Sequence, residues 1–524
     1  MKRLFLVLCL VLLSKAASIP TSNVDGNRNN SVSTETQLTP TNVTTGKFGL
    51  FGGWATDGHV FSQPLFVLAV TTSGVVHDLL IVVTMNNSVY AFDANRPGAT
   101  VWSNLAFASP YASYPVAEGG LYGSLGCLST PVVDVANSKL YVVCDTSTPN
   151  WVIRQLDLTT GSTLLTATIS GQVVGTGDVG QGDTTSGANL LFYPRFEFQR
   201  AGLALANNKV YVAFGALNDT RPWHGWVFAY NTSDLSQAGI WCSTPNGYGG
   251  GVWMSGGAPA VDGSGNIYVT TGNDGGYDGV TNFSDSTVKL SPTLSVLDWF
   301  TPSNNAAIDS VDADVSANRA MLIPSTNFAI VAGKDFNVYL IDTTCMGHLQ
   351  GSSGCSLQTF KTNAMGTPGS ETGSYGGAFM NNVLYLPTSA GSIYAFTFGG
   401  STFTTTPLAT QTNSYGNYGP AQMFGSINGA SNGILWVETT ATTSHTAVQQ
   451  GTLRALNPTT LAEYWNSGTS GQDALGNMTK FAAPVVTNGR IYVSTQDSKI
   501  QSYGLLPSSV SRGLISLIGN ITQR

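Results

Sequence analysis

The chain is poor in charge. Only 10% of its 524 residues are Asp, Glu, Lys or Arg, and 29 acidic residues outnumber 22 basic ones. A basic stripe able to neutralise a phosphate backbone is missing, which removes nucleic acid from the expected partners. Five histidines leave little for His-based acid–base chemistry or transition-metal ligation. No long segment keeps a 3.6-residue apolar period, so extended amphipathic helices are excluded. No apolar run reaches the roughly 20 residues that a membrane helix needs. Gly-x-Ser-x-Gly elbows, His-Glu-x-x-His pairs and phosphate-binding loops are also missing.

The one sizeable apolar run, Leu4 to Leu13, follows Lys2 and Arg3 and precedes Ser14-Lys15-Ala16-Ala17-Ser18. A short apolar core between basic and small residues predicts a signal peptide over residues 1–18, cleaved near Ala17 or Ser18. Loss of Lys2, Arg3 and Lys15 leaves 19 basic against 29 acidic residues. The mature chain is expected to be secreted, extracellular and monomeric, without a transmembrane segment. Cys9 leaves with the signal. Cys345 and Cys355 flank a short Gly/Ser loop, and Cys127 and Cys144 lie on neighbouring strands of one unit. An oxidising compartment predicts both pairs as disulfides, with Cys242 left as a buried thiol. Asn-x-Ser/Thr acceptors at Asn42, Asn86, Asn218, Asn231, Asn282 and Asn477 are the expected glycosylation sites, and Asn29 and Asn520 open the same triplet.

What the chain has in quantity is glycine, 60 residues of it, amid short alternating runs rich in Thr, Ser, Val and Tyr. That is the pattern of an all-β protein. From Lys480 to Leu506, the runs AAPVV, RIYVST and KIQSYGL are separated by Asn488-Gly489 and by Gln496-Asp497-Ser498. Asn-Gly tolerates positive φ at both positions and closes a hairpin. The unit recurs at intervals of roughly fifty residues, within the range of repeat arrays. Each copy has an inner strand, a hairpin strand of the Ile-Tyr-Val type, a third of the Tyr-Ala-Phe-Asp type, and a fourth that often ends in Trp, as at Trp102, Trp241, Trp299 and Trp465. Four antiparallel strands make a blade, and twisted blades bury both faces by packing around an axis. The final unit has only three strands, and the isolated strand from Lys47 to Trp54 supplies its fourth, closing the ring. The expected fold is a β-propeller over residues 46–506, with eight four-stranded blades and seven as the alternative. Residues 19–45 are Asn/Ser/Thr-rich without an apolar period and read as a flexible leader. Residues 507–524 read as a tail, with Gly513 to Ile518 spaced like a short helix docked outside the ring.

Tyr90-Ala91-Phe92-Asp93, followed by Gly98 and Trp102, resembles the repeat of pyrroloquinoline-quinone (PQQ) propellers, whose pattern is Ala-x-Asp, a turn Gly and a docking Trp. The stretches from Arg454 to Trp465 and from Val227 to Trp241 resemble the same element. The resemblance runs from Gly46 to Leu506 and points to secreted PQQ-like members of unassigned function. Quinoprotein alcohol dehydrogenases of this family hold the quinone and a Ca²⁺ over the axis. They use Glu, Asn and Asp around the metal, an Asp base, an Arg near the quinone oxygens and often a disulfide between adjacent cysteines. This chain has no Cys-Cys pair. One implied reading is a scaffold that binds an extracellular ligand, glycan or protein without catalysis or cofactor. The alternative is a PQQ- and calcium-dependent dehydrogenase of alcohols or sugars, and a third is a hydrolase or lyase working through mouth carboxylates.

Candidate site residues follow from position. Arg195, Glu197 and Arg200 precede an inner strand and belong at one mouth of the axis as cofactor-binding groups. Asp312 and Asp314 hold the matching place two repeats on, where carboxylates suit a hard cation such as Ca²⁺. His224 and Trp226 offer an aromatic platform for a sugar or quinone, and Asp274, Tyr277 and Asp278 resemble a Gly-rich cation loop. The structural alternatives are backbone capping at the blade entrances, loop packing and ordinary turns.

Overall fold

In a computed structural model of the chain, the described residues are 17–111, 124–147, 150–179, 188–217, 219–351, 355–361, 373–389, 391–411, 422–440 and 448–507. The apolar run of the expected signal peptide, the tail helix, Asn218 and Asn520 lie outside them.

The strand runs form eight successive four-stranded antiparallel blades. The first consists of Leu65–Thr72, Val75–Val83, Val89–Asp93 and Thr100–Asn104. Six more span 132–168, 204–242, 260–301, 321–361, 378–411 and 422–466. The eighth joins Val485–Thr487, Arg490–Thr495 and Lys499–Leu505 to the N-terminal strand Phe48–Ala55, with Trp54 opposite Ile500 and Phe48 opposite Leu505. The ring is thus closed by both ends of the propeller, as the repeat count requires, and the number of blades is eight.

A period of two explains why the blades stack. In Val75–Val83, Leu79, Ile81 and Val83 face blade 2 and pack with Val133, Leu140 and Val142. Leu80 and Val82 face the other way, toward Trp54 and Tyr492 of blade 8. Both faces are buried, so the strand reads as a continuous apolar run. The terminal Trp residues stitch neighbours together. Trp102 of blade 1 donates its indole N–H to Leu158 O of blade 2 at 2.9 Å, and Trp54 of blade 8 donates to Arg96 O of blade 1 at 3.2 Å. Trp465 of blade 7 packs edge-on against Phe48 of blade 8, with centroids 4.8 Å apart. The expected disulfides are both present, Cys127–Cys144 and Cys345–Cys355, and Cys242 is a buried free thiol.

The segment read as a flexible leader is the main departure from the sequence expectation. Residues 17–35 make one complete circuit of the axis and touch the blades in order. Ala17 O accepts from Thr487 of blade 8, and Ile19 pairs with Phe66 of blade 1. Pro20 O accepts from Val133 N of blade 2, and Thr21 donates to Leu203 O beside blade 3. Gly26 O, Asn27 O, Asn29 O and Asn30 O then accept from Val261, Leu322, Phe379 and Gly425 of blades 4, 5, 6 and 7, at 2.7 to 2.9 Å. The Glu35 carboxylate returns to blade 8, accepting from Gly489 N at 3.1 Å and from Gln37 and Leu38 N. The segment is polar because its partners are backbone amides of the inner strands. Its bends use positive φ at Asn23, Val24, Arg28 and Asn30.

The docking Trp sets a measurable stability term. The Trp102 ring occupies space 2.3 Å from where a Cβ on Gly161 would sit, and Gly161 has φ +74°. Trp102→Ala is expected to cost about 3–5 kcal/mol in denaturant unfolding, and Gly161→Ala is expected to destabilise as well, through clash and backbone strain.

Candidate functional site

The axis has two unlike ends. Around one, the turns joining first to second strands surround the N-terminal hoop. At the other, the loops that lead into the inner strands converge. Arg200, before blade 3, donates to Phe61 O, before blade 1, at 3.2 Å, and to Lys480 O, before blade 8. Its guanidinium stands 5.3 Å from the Phe481 ring, and the Lys480 ammonium stands 4.8 Å from the same ring. Phe481 stacks at 6.1 Å on Tyr375, before blade 6, and its carbonyl presses on Gly256, before blade 4. Five blades therefore meet around Phe481, which lies at the mouth with φ +67°. Aromatic faces flanked by cations are stabilised electrostatically as well as by burial.

Arg200 is thus the member of its sequence trio that reaches the mouth. Arg195 is exposed, its guanidinium 5.9 Å from the neighbouring Phe196 ring. Glu197 is buried in a separate cluster of blades 2 and 3 together with His224 and Trp226. Its Oε1 accepts from His224 N at 3.1 Å, its carbonyl from the Trp151 indole at 3.1 Å. The Trp226 N–H lies near the other carboxyl oxygen without hydrogen-bond geometry. Burial raises the Glu197 carboxyl well above its ordinary pKa. The His224 ring stands 3.0 Å from both Thr244 Oγ1 and Asp178 O, and burial lowers its pKa although the backbone carbonyls of Asp178 and Thr244 favour the imidazolium. Trp226 is walled in by Phe192 and Phe228, so this pair packs blade faces and offers no open platform.

Asp312 and Asp314 do come together, with Lys334 between them. The ammonium lies 3.1 Å from Asp312 and in direct contact with Asp314. Burial opposes the charge on Lys334, but Asp314, Tyr375 and Asp312 outweigh it and raise its pKa. Burial and Asp314 push Asp312 up, against Lys334. Asp314 also accepts from Asn273 N at 2.9 Å, and Asp309 from Asp274 N at 2.5 Å. Asp278 accepts from the amides of Val280, Thr281 and Asn282, an ordinary turn, and Tyr277 accepts from the Trp299 indole. Among the described residues, no three His, Cys, Asp or Glu side chains converge as a metal donor set.

Of the sequons, Asn42, Asn86, Asn231 and Asn477 are partly exposed, whereas Asn282 is buried at 7%. Sequence reasoning missed Asp285 and Glu438. Both are fully buried, Asp285 with one carboxyl oxygen and Glu438 with both lacking a hydrogen-bond partner among the described residues. Burial raises both well above the usual range. The signal for Glu438 was legible, since it shares the parity of the apolar Ile434 and Trp436 in the same strand.

A carboxyl with a raised pKa is neutral in the fold and ionises in the unfolded chain above about 4.3. Stability is then present at low pH and falls as pH rises through the window between the unfolded and folded values. Glu438→Gln is accordingly expected to flatten the decline in unfolding midpoint between about pH 5 and pH 8, read by thermal scans across that range.

No protein-family model matches the chain, and no curated protein does. Solved structures do. The quinohemoprotein alcohol dehydrogenase ADHIIG from Pseudomonas putida HK5 aligns at 13% identity with a TM-score of 0.60, covering 93% of this chain and 80% of that one. A europium-containing methanol dehydrogenase aligns at 13% identity and TM-score 0.61, covering 93% and 98%. The quinohemoprotein alcohol dehydrogenase from Comamonas testosteroni aligns at 13% and 0.55, covering 93% and 80%. At this identity the likeness is one of architecture, and the chain has the eight-bladed PQQ-like propeller fold.

Proposed function

We propose that the protein is a secreted, glycosylated propeller that binds an extracellular glycan at the loop-lined mouth of its axis, without catalysis. The observation that carries the reading is the Phe481 floor. A half-buried aromatic ring, backed by Tyr375 and flanked by Arg200 and Lys480, suits the C–H face of a sugar, and Lys334, electrostatically coupled to Tyr375, pairs with Asp312, whose 44% exposed side chain can meet hydroxyl groups. Two disulfides, and no helix among the described residues long and apolar enough to cross a membrane, are compatible with an extracellular setting. A protein ligand is the second class that such a surface accommodates.

The fold raises the question of PQQ with Ca²⁺. The residues present fit that pair poorly. Lys334 already supplies the cation for Asp312 and Asp314, Arg200 is engaged by two backbone carbonyls, and Phe481 lies where the loops of five blades meet.

Glycan-array binding of the secreted protein, compared with Phe481→Asn, tests the reading. Asn tolerates positive φ, so the substitution removes the ring and keeps the backbone. The expected result is a bound glycan class whose affinity drops by about tenfold or more in the variant, a loss in the range of one stacked aromatic. Addition of PQQ and CaCl₂ is expected to leave the unfolding midpoint and dye reduction unchanged. A saturable midpoint shift with alcohol-dependent dye reduction would replace the scaffold by the dehydrogenase.

A further inference from the structure

Two arginines, Arg28 of the hoop and Arg319 before blade 5, lie on the axis, each 1% exposed. Arg28 donates from Nε to Pro259 O at 2.9 Å and from Nη1 to Thr21 Oγ1 and Ser22 O at 2.9 and 2.7 Å. Arg319 donates from Nε to Arg28 O at 2.8 Å and from Nη2 to Gly377 O at 3.0 Å. Two guanidiniums carry about ten N–H donors, and these five bonds use half of them. All five acceptors are neutral. No ion pair among the described residues includes either arginine. Asp25 is exposed and turned onto Asn27, contributing only a field at Arg28. A third donor points the same way. Gln63 uses its Oε1 for Asn23 N and Ser22 Oγ in the same polar cluster, while its buried Nε2 has no acceptor among the described residues.

A buried charge without a counter-charge is costly. Burial lowers Arg28 to about 10, and burial with the like charge of Arg28 lowers Arg319 to about 9, so both remain cationic at neutral pH. The axis therefore concentrates two positive charges and surplus N–H donors on side chains with little solvent exposure. We propose that the axis holds a structural anion site, in which a chloride-sized monoanion is bound between Arg28 and Arg319. The 1% exposure of both arginines favours a small ion over a sugar phosphate or a carboxylate carried on a chain. The site is independent of the mouth reading, since it uses none of the mouth residues.

The test is thermal unfolding of the full secreted chain in sodium chloride against sodium gluconate at equal ionic strength. Chloride is expected to raise the midpoint saturably by roughly 1–3 °C over gluconate, and Arg319→Gln is expected to lose that increment. Equal midpoints in the two salts, or an undiminished increment in the variant, would overturn the proposal. Should the variant fail to fold, crystals of the native chain grown in sodium bromide decide. An anomalous peak within hydrogen-bond reach of both guanidiniums supports the site, and its absence there refutes it.

Discussion

Six backbone N–H groups on the inner strands, those of Phe66, Val133, Val261, Leu322, Phe379 and Gly425, point toward the axis and donate to carbonyls of residues 19–30. Inner strands of a propeller are sheet edges, and a buried edge amide left unpaired costs about 1–3 kcal/mol. One short polar segment answers all six, in blade order, with roughly two residues per blade. The rest of the architecture hangs on this arrangement. The hoop fixes the spacing of the inner strands, ends on Glu35 at the Asn488-Gly489 turn, and delivers the chain to Phe48–Ala55, the strand that closes blade 8.

The hoop also makes the molecule polar along its axis in the geometric sense. One end is occupied by Ser22, Asn23, Arg28 and Asn30, all buried. The opposite end presents Phe481, Tyr375, Arg200 and the Lys334 pair. Burial raises the carboxyls Glu197, Asp285 and Glu438 well above their ordinary range, and their buried places belong to blade packing.

Much of the fold was legible in the sequence because blade formation depends on local period and turn chemistry. Asn488-Gly489, the continuous apolar run Leu79–Val83 and the docking Trp residues each encode a contact within one or two blades. The orphan strand from Lys47 to Trp54 was readable by the same arithmetic. Residues 19–45 were not, because apolar period measures side-chain burial, and this segment is held by its carbonyls. The site was less legible still. Arg200, Asp312 and Asp314 lie in loops that lead into inner strands, as their positions suggested, but the partner that links the two aspartates, Lys334, comes from a different turn. Phe481 and Tyr375 gave no sign in a chain with 23 Phe and 20 Tyr.

Hydrogen exchange on the six inner-strand amides tests the central claim most directly, comparing a chain that begins at Ala17 with one that begins at Gly46. If the hoop pairs these edges, all six exchange slowly in the intact protein and faster by roughly tenfold or more without it, while amides within the second and third strands of each blade change little. Equal exchange of the six amides in both chains would contradict the account, leaving the hoop an ornament on a ring that closes without it.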